Sequence, residues 1–259
     1  MSSVTAWLDP VAQALDESDT PIDFFFRDDD VGWANDEFRA LLACFRRQSL
    51  PIDLAVIPSA LTAELADEIC AAHEKTPALI GIHQHGFSHA NHEVLARKCE
   101  FGISRGQPDQ FRDIQLGKMK LEAMLGPALD PIFTPPWNRC TEITGECLKA
   151  LGFRVLSRDA TAPSLALSGL RELPISIDWF GKKNGERLSF QSLGGLIGAA
   201  VKQTRHVGIM LHHELMSADE RERLGHLLVL LSTHRQARCK LMAQIAGVEA
   251  TATEIYQSM

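Results

Sequence analysis

Five short groups of polar residues in this chain have the makeup of a hydrolytic metal site. Three consecutive carboxylates, Asp28, Asp29 and Asp30, follow an apolar run. Carboxylates crowded this closely raise one another's pKa unless a cation neutralises them, and a helix cap or turn seldom uses three. His85 and His89 stand four residues apart in His85-Gly86-Phe87-Ser88-His89. On one helical turn, or in a compact loop, both imidazoles can face a single ion. Imidazole plus carboxylate is the donor set of a catalytic zinc, which takes three protein ligands and leaves positions for water and substrate. The same donors suit Co2+, Ni2+ or Mn2+. His83 and His92 lie nearby and read as structural or supporting groups. Pro135-Pro136-Trp137-Asn138 offers an aromatic wall for a sugar ring or acyl group, with core packing as the other use of Trp137. Asp159 is a further acid, and His212-His213 supplies a candidate proton donor at the end of another apolar run.

These groups can act together only if the fold gathers them. Apolar runs over 22–27, 52–57, 78–82, 131–133, 153–156 and 207–211 read as strands. Phe24, Phe25 and Phe26 in succession suit a strand buried on both faces. Amphipathic stretches over 35–48, 62–73, 109–125, 141–151, 193–204 and 218–234 read as helices. Asn35 or Asp36 can cap the first, Gly152 closes the fourth, and Ser217-Ala218-Asp219-Glu220 has the capping-box form. The stretch 162–195 is irregular, with 175–177 and 188–190 as candidate strands, and 240–246 reads as a last strand. Strand–helix alternation implies a mostly parallel sheet, either a closed barrel or a doubly wound open sheet. In such folds the strand C-terminal ends share one face, and sites form there. Each polar group follows a strand, so all five converge on that face.

Length and composition fit this reading. A chain of 259 residues is ordinary for an α/β barrel, and 1–259 reads as one domain. Hydrophobic residues at 45% and charged residues at 23% are normal for a globular protein. Such a chain buries roughly three quarters of its surface and needs no disulfides. A net charge of −7 without a basic stripe argues against nucleic acid. No apolar run approaches the roughly 18 residues of a membrane span. Met1 to Asp9 lacks the charged-then-apolar pattern of a signal peptide. Six cysteines, none in a Cys-x-x-Cys pair, read as free thiols in a reducing cytoplasm. A homodimer through the irregular 162–195 region is left open.

Together these residues resemble the polysaccharide deacetylase family, carbohydrate esterase family four. Arg27-Asp28-Asp29-Asp30 stands for its Asp-Asp motif and His85-Gly86-Phe87-Ser88-His89 for its His-x-x-x-His. Thr134-Pro135-Pro136-Trp137 stands for its Arg-x-Pro-aromatic motif, Ser157-Arg158-Asp159 for a further Asp region and Leu211-His212 for its Leu-His motif. Their order and spacing cover 24–213. The resemblance implies an α/β fold, a distorted (β/α) barrel of seven strands, and hydrolysis of an N-acetyl group on a small or oligomeric sugar. It implies Asp30, His85 and His89 as metal ligands, Asp29 as general base and His212 as general acid, with Pro136, Trp137 and Asn138 on the substrate side. Each proton transfer in such chemistry contributes about 10²–10⁴-fold.

The chain departs from the family pattern in ways that keep alternatives open. Three aspartates where the family has two make Asp28 a rival base, and His213 competes with His212 as the acid. Thr134 occupies the place of the motif Arg, which pairs with the base, so Arg27, Arg139 or Arg158 is expected to orient it. An intracellular setting favours a soluble sugar intermediate or a ring amide over a polymer. Two other readings follow. One is a metal-dependent amidase of a small cyclic amide, which calls for a closed pocket. The other is a non-catalytic homologue that binds a saccharide or a partner protein, which loss of the motif Arg favours.

Overall fold

The structure, a computed structural model, describes residues 4–248. After helix α1 (Asp9–Asp16), strands β1 (Ile22–Val31), β2 (Ile52–Val56) and β3 (Ile80–His85) alternate with α2 (Asn35–Gln48), α3 (Ala63–Lys75) and α4 (Gln107–Leu125). Then come β4 (Ile132–Thr134), α5 (Glu142–Ala150), β5 (Val155–Leu156), β6 (Arg171–Glu172) and β7 (Ile177–Asp178). A hairpin of β8 (Lys182–Lys183) and β9 (Glu186–Arg187) leads to α6 (Phe190–Gln203), β10 (His206–His212), α7 (Ala218–Thr233), β11 (Ala237–Cys239) and α8 (Met242–Ala246).

The main sheet is parallel and curled, in the order β6-β5-β4-β3-β2-β1-β10-β7, with β11 also pairing β1. Its two edges are bridged by one irregular segment. Leu173 N donates to Leu156 O and Ile175 N to Arg158 O, while Ser176 N donates to Gly208 O and Trp179 N to Met210 O. With that segment counted once between β5 and β10, the sheet is a distorted barrel of seven staves.

Strand alternation sorts the side chains. Phe24 and Phe26 face outward with Leu54, Ile82, Val207, Ile209 and Leu211, into the core under the helices. Phe25 faces inward with Ile132, Val155, Ile175 and Met210, where Met242 of α8 also packs. Gly208 has to be small there, because an added Cβ would lie 2.3 Å from the Phe25 ring. The apolar plug fills one end of the barrel and leaves polar residues to line the other.

Several expectations are corrected. β1 runs on through the aspartates to Val31. The 240–246 stretch is a helix: Met242, Ala243, Ile245 and Ala246 are its buried residues, spaced for one helical face, and Gly247 ends it at φ 62°. Residues 188–190 are not a strand, because the Ser189 side chain accepts from Ser192 N and caps α6. All six cysteines are free thiols. Among the described residues no helix is long and apolar enough to cross a membrane.

Candidate metal centre

The three aspartates serve three different positions. Arg27 and Asp29 share the inward face of β1, and Asp28 points to the other side. Simple alternation would send Asp30 after Asp28. Instead the β1–β2 register shifts between Asp28 and Val31, and Asp30 sits at φ 67°. A bulge of this kind re-aims a side chain, and a left-handed non-glycine residue costs about 1–3 kcal/mol. Asp29 and Asp30 therefore both reach the barrel mouth. His89, Trp137 and Asn138 are likewise left-handed, at φ 56°, 56° and 58°.

Asp28 is buried against His213, whose Nδ1 donates to Oδ2 at 2.8 Å and whose backbone N donates to Oδ1 at 3.1 Å. His213 Nε2 lies 2.9 Å from the Trp33 carbonyl. With both partners accepting, both ring nitrogens carry protons. Burial pushes the ring's pKa down, but the Asp28 charge and hydrogen bond, with the Trp33 carbonyl, raise it from 6.5 to about 9. Asp28 and His213 thus engage each other, and neither reaches the metal donors. A raised folded pKa means stabilisation that is complete below 6.5 and lost as pH rises through about 9. Unfolding free energy from urea titrations is expected to fall across that window by about 3 kcal/mol from this group. His213→Gln, which cannot titrate, should lack the decline; an identical pH slope in the variant would refute the assignment.

The two ligand histidines are brought together by a strand end and a loop rather than by a helical turn. β3 points His83 and His85 inward. The chain then turns at Gly86 (φ 55°), where a Cβ would lie 2.2 Å from Glu100 Oε2 and 2.6 Å from Pro136 Cδ. Buried Glu100 clamps the turn, accepting from Phe87 N at 3.2 Å, Ser88 N at 2.8 Å and Ser88 Oγ at 3.0 Å. His85 Nδ1 donates to Thr134 O at 3.1 Å, which aims Nε2 at Asp30. Asp30 Oδ1 lies 3.1 Å from His85 Nε2 and 3.1 Å from His89 Nε2. The His89 ring sits between Trp137 and Trp33, at centroid distances of 4.4 and 5.1 Å.

The donor set fits a divalent cation. One ligand atom from each of Asp30, His85 and His89 lies within 4.8 Å of the others. Ligand atoms about 2.1 Å from a shared tetrahedral ion stand roughly 3–3.5 Å apart, close to the spacing found. Burial would raise the Asp30 pKa, but hydrogen bonds from His85 and His89 and the charges of His85 and His212 hold it well below the usual carboxylate range. His212 Nε2 lies 3.9 Å from the other oxygen, Asp30 Oδ2.

Asp29 is held by Arg27. The fully buried guanidinium donates from Nε to Oδ1 at 2.7 Å and from Nη2 to Oδ2 at 2.8 Å, a bidentate fork. Its other donors reach Ser157 Oγ at 2.8 Å and Asn138 Oδ1 at 2.8 Å. Burial alone would push Asp29 up; Arg27, then His85 and His212, bring it below its ordinary value. Thr134 Oγ1 instead meets His83 Nε2 at 2.9 Å, and burial pushes His83 down to about 3, so that ring is neutral. Arg158 does not orient a base: its Nη2 is taken by Glu172 at 2.6 Å and the Pro163 carbonyl at 2.9 Å, where the 159–172 loop folds over it. Arg139 donates to the Lys98 carbonyl. Asn138 spends its amide on Arg27 and on Met210 Sδ, so its observed contacts buttress the guanidinium. Trp137 and Asn138 border a cleft of about 450 Å³ that also reaches Arg139, Asp159, Asp178 and Met210. Pro136 is buried under Gly86. Trp33 and Glu100 carry no signal in the sequence, and Ser157 enters there only within Ser157-Arg158-Asp159, since each acts through contacts made only in the folded barrel.

No protein-family model matches the sequence, and no curated protein matches it. Solved structures do. A Mycobacterium smegmatis protein described as a polysaccharide deacetylase is similar at a TM-score of 0.68 and 15% identity, over 94% of this chain and 93% of that one. A family 4 acetyl xylan esterase from Clostridium thermocellum, solved with a cobalt ion, is similar at 0.53 and 13%, over 91% of each chain. A carbohydrate esterase family four pseudoenzyme from Bacillus anthracis is similar at 0.57 and 10%, over 88% of this chain and 66% of that one. At these identities the likeness is one of fold: the chain is built on the distorted (β/α) barrel found in structures of the family its motifs resemble.

Proposed function

We propose that the protein is a metal-dependent hydrolase that removes the acetyl group from an N-acetylated saccharide, as a divergent polysaccharide deacetylase. The observation that carries this reading is the convergence of two imidazole nitrogens on Asp30 Oδ1, each at 3.1 Å, beside a second carboxylate held by a buried arginine. A divalent ion on Asp30, His85 and His89, Zn2+ first among those that suit these donors, supplies a Lewis acid for the amide carbonyl and lowers the pKa of water. Asp29, kept ionised and oriented by Arg27, takes the proton from the attacking water. His212, whose Nε2 lies 3.9 Å from the other oxygen of Asp30, gives a proton to the leaving amine. Each of these transfers contributes about 10²–10⁴-fold. Trp137 offers a ring face to the sugar.

The cleft's exposed rim, at Arg97, Thr161 and Pro163, favours a saccharide over a small cyclic amide, which calls for a closed pocket. The presence of the whole donor set and of a replacement for the motif Arg favours a catalyst over a binding homologue. The test is to strip the protein with a chelator, reload it with Zn2+ or Co2+, and follow acetate release from N-acetylglucosamine, chitooligosaccharides and acetylated xylan. Release that depends on metal is expected. Ring opening of a cyclic imide with no acetate released would replace the reading with the amidase, and no turnover of either by metal-loaded protein would leave the binding homologue.

A further inference from the structure

The cleft beside the metal donors carries more positive charge than hydrolysis of a neutral sugar amide uses. Arg97, Arg139 and Arg158 all line it. Arg158 is 5% exposed and ion-paired with Glu172 through Nη2, and among the described residues its buried Nε makes no hydrogen bond. The Arg139 guanidinium donates to the Lys98 carbonyl, and among the described residues no carboxylate forms an ion pair with Arg139 or Arg97. Burial and the neighbouring Arg97 charge both push the Arg139 guanidinium below its ordinary value, as expected of two like charges held together without a counterion. Among the described residues neither carboxylate lining the cleft pairs directly with Arg97 or Arg139. Asp159 turns to Thr161, accepting from its N at 2.7 Å and its Oγ1 at 2.5 Å, and Asp178 accepts from Phe180 N at 2.8 Å. Arg97 and Arg139 also wall an adjoining, largely apolar recess with Cys99, Ile103 and Glu93, the last held by Ser104 N and Oγ, which puts the two arginines at the outer end of the cleft.

We propose that this outer end is an anion subsite, and that the saccharide turned over at the metal donors carries an oxyanion, either phosphate or carboxylate. The inference rests on the deacetylase reading and names its substrate class. Guanidinium groups present paired N–H donors whose geometry matches phosphate and carboxylate oxygens. The protein as a whole bears a net charge of −7, which repels an anionic substrate. Arg97 and Arg139, unpaired with any carboxylate among the described residues, offset that repulsion where the anion docks. Asp178 and Asp159, on the same walls, each engage one oxygen with the protein, and the second oxygen of each can accept from a sugar hydroxyl.

The test uses the metal-loaded enzyme and three probes: N-acetylglucosamine, N-acetylglucosamine 6-phosphate, and 2-acetamido-2-deoxyglucuronic acid. Binding is read by calorimetry and turnover by acetate release, in wild type, Arg97→Gln, Arg139→Gln and the double variant. Both positions are at least partly exposed, so the variants should fold, which their melting curves would verify. Wild type is expected to bind one anionic sugar more tightly than the neutral one, with an affinity that falls as salt rises. The double variant is expected to lose that preference by about ten- to a hundredfold, in Kd and in the ratio of kcat/KM values. Preference for the phosphate or for the carboxylate identifies the oxyanion. Equal binding of all three probes, or a preference unchanged in the double variant, overturns the subsite. The two readings fail separately. Salt-dependent binding of an anionic sugar without acetate release would keep the subsite and refute the deacetylase; acetate release without anion preference would do the reverse.

Discussion

His85→Ala is expected to lose the bound metal and, with it, acetate release, kcat/KM falling by about a thousandfold or more. His85 is 1% exposed, with Nδ1 fixed by the Thr134 carbonyl, so Nε2 is pre-aimed at the position shared with Asp30 and His89. Among the described residues the other imidazole at Asp30 Oδ1 is His89, already a member of the trio. Chelation gives a second readout. A ligand that binds only the folded state at a hundred times its Kd stabilises it by about 2.7 kcal/mol, so wild type should melt at a lower temperature after stripping, and His85→Ala should melt alike with or without chelator. His83→Ala is the control. His83 is equally buried on the same strand face, but its Nε2 is spent on Thr134 Oγ1. That variant is expected to keep stoichiometric metal even if it is less stable. Full metal occupancy and activity in His85→Ala would sink the site.

The sequence makes the barrel and most of the site readable because both depend on strand parity and strand order. The apolar runs show where strands end, and parallel strands put those ends together. Arg27 and Asp29 are two residues apart on one strand and so share a face, which singles out Arg27 among the three arginines considered. Met210 and His212 share the inward face in the same way, which separates His212 from His213. Other features lie beyond local pattern. The bulge that turns Asp30 beside Asp29 is a property of the β1–β2 pairing. The segment over 171–179 bridges two sheet edges through pairs only two residues long, too short to show a period. The five residues of α8, four of them apolar, are too few to separate a helical from a strand period, and packing under the barrel decides for the helix.

The Arg27–Asp29 pair is where the sequence departs most from the family pattern, and its variants should separate catalysis from structure. Asp29→Asn is expected to retain metal and lose about 10²–10⁴-fold in kcat, because the amide cannot take the proton from water. Arg27→Met acts differently. It leaves Asp29 buried at 2% exposure without its counterion, a situation that destabilises by about 3–5 kcal/mol. It also removes the first of the groups that oppose burial, so the Asp29 pKa should climb. In wild type that pKa is depressed, so the stabilisation from the pair is present above 3.8 and is lost as pH falls through the lower folded value. Arg27→Met should therefore move the acid limb of the kcat/KM profile to higher pH, an effect that a purely structural arginine would not produce. The double variant Arg27→Met/Asp29→Asn buries neither charge alone, so it should be more stable than the sum of the single losses predicts, with a coupling on the order of 1–3 kcal/mol. An acid limb that stays put in Arg27→Met, with additive stabilities in the cycle, would reduce Arg27 to a core residue and leave Thr134 without a functional substitute for the arginine of the motif.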